Sequence, residues 1–330
     1  MRFILWLALI LGLAWGGYWF IGSRALEQGT AAWFASSAEQ GVEASNEGID
    51  VQGFPSRFDL TVTRPRLADP FTGIGWTAPF AQVMAMTWKP WHVIAVLPLD
   101  QQIEFPGETV ALTTSRMIGS LRLSPSADLT FSEAVIEGHD LALASDRGWK
   151  LDLASAVLAL GRDAAEARDY RLGIEVKNLR PDPALTRALP ALGEVMGRLH
   201  LDATLNLTAV LDRNMAETRP ELAGLDLRDL QLDWGALQIS GKGRLSPGPD
   251  GLAQGQIDIE VKGWNLLAPL AAELGLIRPE MANSLNDGLA AMAAANGQPE
   301  TLSLPLKLEG GWMNLGPIPL GPAPAMAQRQ

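Results

Sequence analysis

LHLDATLNLTAVL, from Leu199 to Leu211, alternates apolar and polar residues almost without a break. Leu199, Leu201, Ala203, Leu205, Leu207, Ala209 and Leu211 fall on one phase, and His200, Asp202, Thr204, Asn206 and Thr208 on the other. A period of two puts these sets on opposite faces of an extended chain, so the stretch reads as a half-buried antiparallel strand. Thirteen residues at about 3.3 Å each reach about 43 Å, well beyond an ordinary strand.

The alternation spreads outward from there. Trp149, Leu151 and Leu153 precede it, as do Tyr170, Leu172, Ile174 and Val176; Ile257, Ile259 and Val261 follow, then Leu302, Leu304, Leu306 and Leu308. Between Leu225 and Ile239 the phase slips, which predicts a bulge near Arg228-Asp229. Shorter strands are expected around 57–63, 80–88, 91–99, 102–113, 117–123 and 127–143. Helical spacing predicts helices over Trp264–Leu276 and Glu280–Ala295, the second stopped by Asn296-Gly297, and a third short one over Pro183–Met196. Three further readings belong to loops and side chains. His139-Asp140 reads as a turn, the prolines of 315–322 read as an extended stretch outside any sheet, and the body tryptophans read as core. The fold class is mainly β (α+β): long antiparallel, curved sheet with two or three accessory helices.

At the other end, Phe3 to Ser23 is 21 residues without a charge, bracketed by Arg2 and Arg24. As a helix it spans about 32 Å, close to the thickness of a bilayer core. Trp15, Tyr18 and Trp19 crowd its C-terminal end, where amphipathic rings prefer the membrane interface. Residues 1–23 therefore read as an uncleaved transmembrane anchor and 24–45 as a helical neck. Residues 46–330 form the β-rich domain, with a soft division near 161–168. Arg2 and the terminal amine against Arg24 favour the N-terminus inside.

Composition narrows the chemistry. A net charge of −11 argues against nucleic acid, which needs a concentrated basic face. The chain has no cysteine, and its three histidines, His92, His139 and His200, are scattered. It lacks the GxSxG, GxxxxGK[ST], HExxH and GxGxxG motifs. No catalytic residue, metal ligand or cofactor is assigned. A glycosidase pair among the 37 acidic residues stays open, because such carboxylates lie far apart in sequence.

Two segments, VQGFPSRFDLTV at 51–62 and LSLPLKLEGGWMNLGPIPLGPAP at 302–324, closely resemble the DUF2125 family of alphaproteobacteria. The residues that carry the likeness are Gly53, Phe54, Pro55, Arg57 and Phe58, then Gly310, Gly311, Leu315, Gly316, Pro317, Pro319, Gly321 and Pro322. GGYWFIGSRALEQG and VKGWNLLAPLAAELGLI fit the same pattern, so the likeness runs almost end to end. The resemblance implies a single-pass inner-membrane protein of Gram-negative bacteria, its bulk in the periplasm. More loosely, the architecture is similar to AsmA-type envelope proteins, which implies handling of lipid. The expectation is a non-enzymatic membrane protein that binds or guides lipid along the apolar face of Leu199, Leu201, Leu205, Leu207 and Leu211. A periplasmic glycan hydrolase and an assembly scaffold are the alternatives, and protein partners are unassigned.

Overall fold

A computed structural model describes residues 2–39, 41–295, 300–316 and 318–328. The chain forms two compact units: residues up to Pro125 with Ala134–Lys150, and Ser126–Glu133 with Leu151 onward. Residues 161–168 lie inside the second unit.

The first unit opens with one uninterrupted helix, α1 (Arg2–Glu39). Expected anchor and neck are thus a single rod about 57 Å long. It leads into β1 (Glu43–Ser45), β2 (Gly48–Gln52), β3 (Arg57–Thr63), β4 (Arg66–Asp69), β5 (Ile74–Thr77) and β6 (Phe80–Met86). Then come β7 (Lys89–Leu97), β8 (Asp100–Phe105), β9 (Glu108–Thr113), β10 (Arg116–Leu123) and β11 (Phe131–Ser145), the last of which begins in the second unit. Two antiparallel ladders result. One runs β2–β3–β6–β7–β10 and the other β1–β4–β5–β8–β9–β11. The short strands β1, β2, β4 and β5 escape a period-two reading because three to five residues carry too few alternations. His139-Asp140 is not a turn but lies within β11. Asp140 takes φ +48° there, and Thr114 Oγ1 donates to the His139 carbonyl at 2.7 Å.

The second unit is a meander. It contains β12 (Lys150–Arg162), β13 (Asp169–Leu179), β14 (Met196–Leu207), β15 (Leu222–Trp234), β16 (Leu237–Pro247) and β17 (Ala253–Lys262), each paired with the next. β18 (Thr301–Ser303) and β19 (Leu306–Glu309) both pair with β17. Pro305, unable to donate to the ladder, falls in the gap between them. β14 ends at Leu207, short of the expected Leu211, because the Leu211 N–H donates to Tyr170 Oη instead, at 2.8 Å. The expected bulge is present: the register of β15 against β16 skips between Leu227 and Leu230.

The prolines near the C-terminus correct the sequence reading. β20 (Trp312–Leu315) and β21 (Ile318–Pro322) form an antiparallel hairpin, with Pro319 opposite Asn314 and Pro322 opposite Trp312. β21 pairs with β20 alone among the described strands, and an edge strand tolerates prolines that a central one would not. The helices expected over 183–196 and 264–276 are shorter than read, whereas the one expected over Glu280–Ala295 is present in full. α2 (Pro183–Ala188) is capped by Asp182, which accepts from the Ala184 N–H at 2.8 Å. A 3₁₀ turn at Pro190–Leu192 follows it. α3 (Met215–Thr218) is a single turn, and α4 (Leu267–Glu273) and α5 (Pro279–Ala295) pack together through Leu267, Leu270, Leu285 and Leu289. The Asn296-Gly297 stop lies outside the described residues.

Candidate functional site

The polar residues of β14 and its neighbours make a charged surface. Glu175 accepts from Arg198 at 2.9 Å and meets His200 Nδ1 at 2.6 Å, while His200 Nε2 lies 3.7 Å from Asp229. Arg171 grips Asp202 in two bonds of 2.9 and 2.6 Å. Arg198 foremost, then His200, holds Glu175 below the ordinary carboxylate range, and Arg171 does the same for Asp202. A glycosidase acid must stay protonated near neutral pH, and these carboxylates are pushed the other way. Among the described residues no group of three or more His, Asp or Glu side chains is set to hold a metal.

The opposite surface is apolar from strand to strand. In one row Ala156, Val176, Leu199, Leu232, Ile239, Val261 and Leu302 face one another across seven strands. At about 4.8 Å per strand that row is about 29 Å wide. A second row runs Leu158, Ile174, Leu201, Leu230, Gly241 and Ile259. Cover is uneven. Val261 and Leu302 are buried beneath Leu289 and Ala293 of α5, whereas Leu158, at the far side, is 44% exposed. The expected face therefore divides. Ala203 belongs to a closed core with Leu227, Ile257 and Leu308, and Leu201 packs against it. Leu199, Leu205, Leu207 and Leu211 are half-buried.

At the covered end the helices leave a groove of about 270 Å³. Leu267, Leu270 and Leu274 line it from the α4 side, Leu285 and Leu289 from α5, and Leu304, Leu315 and Ile318 from the strands. Every lining side chain is aliphatic, and Leu274 and Leu276 stand 53% and 75% exposed at its rim. The sequence hinted at this site. WNLLAPLAAELGLI carries more leucines than one helix face can bury. Leu315, one of the family-like residues, lines the groove. Gly310 (φ +58°) and Gly311 (φ +80°) turn the chain from β19 into β20, and Gly316 (φ +57°) turns it towards β21, which holds Pro319, Gly321 and Pro322. Pro317 lies outside the described residues. A larger cavity of about 490 Å³ in the first unit has a mixed lining, and its Arg66 is clamped by Glu104 at 2.5 and 2.9 Å.

In the first unit α1 is the one described helix long and apolar enough to cross a membrane. Arg2 and Arg24 are both exposed. Its three interface-type aromatics do more than sequence suggested. Trp15 Nε1 donates to the Pro55 carbonyl at 2.9 Å, Tyr18 Oη to Thr87 at 2.8 Å, and Trp19 Nε1 to Arg57 at 2.6 Å. Trp19 is buried with Val51, Phe58 and Leu60, its ring stacked on Phe58. The Gly53-Phe54-Pro55 motif is the turn that makes this contact. Gly53 takes φ +99°, and a Cβ there would lie 2.9 Å from the Arg57 carbonyl oxygen. Of the body tryptophans only Trp234 is fully buried; Trp88, Trp149 and Trp312 are exposed, so core packing explains fewer of them than the sequence suggested.

The model of the family described as "Uncharacterized protein conserved in bacteria (DUF2125)" matches residues 19–324. The chain belongs to that family. No curated protein and no solved structure matches it.

Proposed function

We propose that this DUF2125 protein is a non-enzymatic, single-pass inner-membrane protein whose periplasmic body holds a lipid acyl chain in the groove between α4 and α5. The all-aliphatic groove carries the reading. Water gains nothing from such a lining, and an apolar ligand removes the exposed leucines of its rim from solvent. The half-open apolar rows of the meander extend from this groove, since Leu232, Ile239 and Ile259 pack against the same core as Leu270 and Leu285. A membrane anchor would tether the body to a source of such ligands.

The test is photo-crosslinking of the full-length chain in vesicles containing a diazirine-bearing fatty acyl lipid. Crosslinks are expected in the peptides bearing Leu267–Glu273 and Pro279–Ala295, besides those in α1. Leu274→Glu and Leu276→Glu, both at exposed positions, should cut the groove crosslinks about tenfold and leave the α1 crosslinks unchanged. Crosslinks confined to α1 would overturn the groove reading and leave the anchor standing.

A further inference from the structure

The contact between α1 and the first unit sits too far towards the N-terminus for that unit to stand clear of a bilayer. Phe3 to Ala14 is the stretch of the apolar run that precedes the first hydrogen bond to the sheet, at Trp15. Twelve residues reach about 18 Å as a helix, and a hydrocarbon core is about 30 Å thick. The missing 12 Å or so can come only from residues 15 to 22. Those residues already carry two turns of the β domain: Gly53–Ser56, between β2 and β3, and Thr87-Trp88, between β6 and β7. Phe54 packs on Trp19 and Phe20, at ring separations of 5.4 and 5.7 Å. These contacts lie four and five positions before Arg24, or about 6 to 8 Å nearer the membrane centre.

We propose that these two turns form a collar inserted into the outer leaflet, with Phe54 and Trp88 seated among the lipids. This rests on α1 being a membrane anchor. Two properties of the collar fit the setting. Its outer residues are apolar and project outward: Phe54 is 55% and Trp88 56% exposed, beside the exposed Met86, Phe20 and Ile21. Five of its carbonyls are also satisfied from within the protein. The Pro55, Arg57 and Thr87 carbonyls accept from Trp15, Trp19 and Tyr18. The Ser56 carbonyl accepts from the Thr87 N–H at 3.0 Å, and that of Gly53 from the N–H groups of Ser56 and Arg57. A turn facing water has no need of three aromatic side chains to satisfy its carbonyls, whereas a turn in lipid must meet that need from within the protein. Lys89 and Arg24, both exposed, stand where headgroups would be.

The absence of cysteine gives a clean background for labelling. Phe54→Cys, Trp88→Cys, Leu11→Cys and Phe71→Cys, each made singly in the full-length chain, would carry an environment-sensitive fluorophore. Each labelled chain would be reconstituted in phosphatidylethanolamine–phosphatidylglycerol vesicles. Phe71 is 91% exposed and lies beside Gly41, about 30 Å along from the collar by helix length. Labels at 54 and 88 should be quenched at least twofold by nitroxide on the lipid tails and shielded from aqueous iodide, with the label at 71 behaving the opposite way. If 54 and 88 behave like 71 while 11 is quenched by lipid, the collar is refuted and the anchor survives. If 11 is also open to iodide, the anchor itself fails. Shielding of 54 and 88 from both quenchers would mean contact with another protein, and would equally overturn the collar.

Discussion

Gly22 shows how closely α1 is fitted to its sheet. A Cβ there would lie 2.6 Å from Cζ of the buried Phe58 ring, whereas nothing lies within 4 Å of one at Gly17. Gly22→Val should therefore push α1 off β2 and β3, at a cost of about 1–3 kcal/mol, seen as faster proteolysis after residue 40 and a lower melting temperature. Gly17→Ala should be neutral or slightly stabilising; equal effects of the two would refute the fit. In the second unit Leu302 is fully buried in the core beneath α5. Leu302→Ala should cost about 2–5 kcal/mol by urea unfolding, and the exposed Leu276→Ala less than about 0.5.

Among the elements, the β12–β17 meander was the legible part. The long alternation of Leu199–Leu211 declares both a strand and its buried face, and the shorter runs at 149–153, 170–176 and 257–261 locate their strands. The slip near Arg228 announced its own bulge, while β16 beyond Ile239 was not read because Gly241 and Gly243 interrupt its apolar phase. The groove was less legible, since periodicity assigns a stripe to each helix but does not say whether two stripes meet or leave a gap. The docking of Trp15, Tyr18 and Trp19 was legible only as an amphipathic belt, because their partners are carbonyls 38 to 69 positions away. The charged face of the meander carries a pH prediction. Glu175, Asp202 and Glu104 are each held below their ordinary pKa by an arginine partner. A carboxylate depressed in the folded state stabilises it above its unfolded pKa, near 4, and that contribution fades as pH falls through the folded value. The urea midpoint should hold from neutrality to about pH 4.5, then drop. Glu175→Gln should lower the midpoint at pH 7 and soften the acid drop. An unchanged acid limb would show that these pairs do not govern acid stability.

At the scale of the molecule, the proposed orientation, with the body in the periplasm, is open to direct test. A C-terminal alkaline phosphatase fusion is expected to be active, and a C-terminal fluorescent-protein fusion requiring the cytoplasm to be dark. The reverse pattern would place the body in the cytoplasm. Alkaline carbonate should leave the chain in the membrane fraction.

The meander also has a history written into it. Each strand from β13 to β17 pairs with the one just before it in the chain, so loop closure stays short and each hairpin can form as soon as its second strand is available. The core of Ala203, Leu245 and Ala253 is different. It is completed by Ala323 and Met326, held there by the Met326 N–H to Gly251 at 2.8 Å and the Leu252–Ala325 bridge. A nascent chain lacking those residues would carry an ordered sheet with an unsealed seam. An apolar seam left open in that way is a surface that chaperones and proteases recognise. A chain ending at Pro322 should be degraded in cells while still showing the strand signature of the intact protein by circular dichroism.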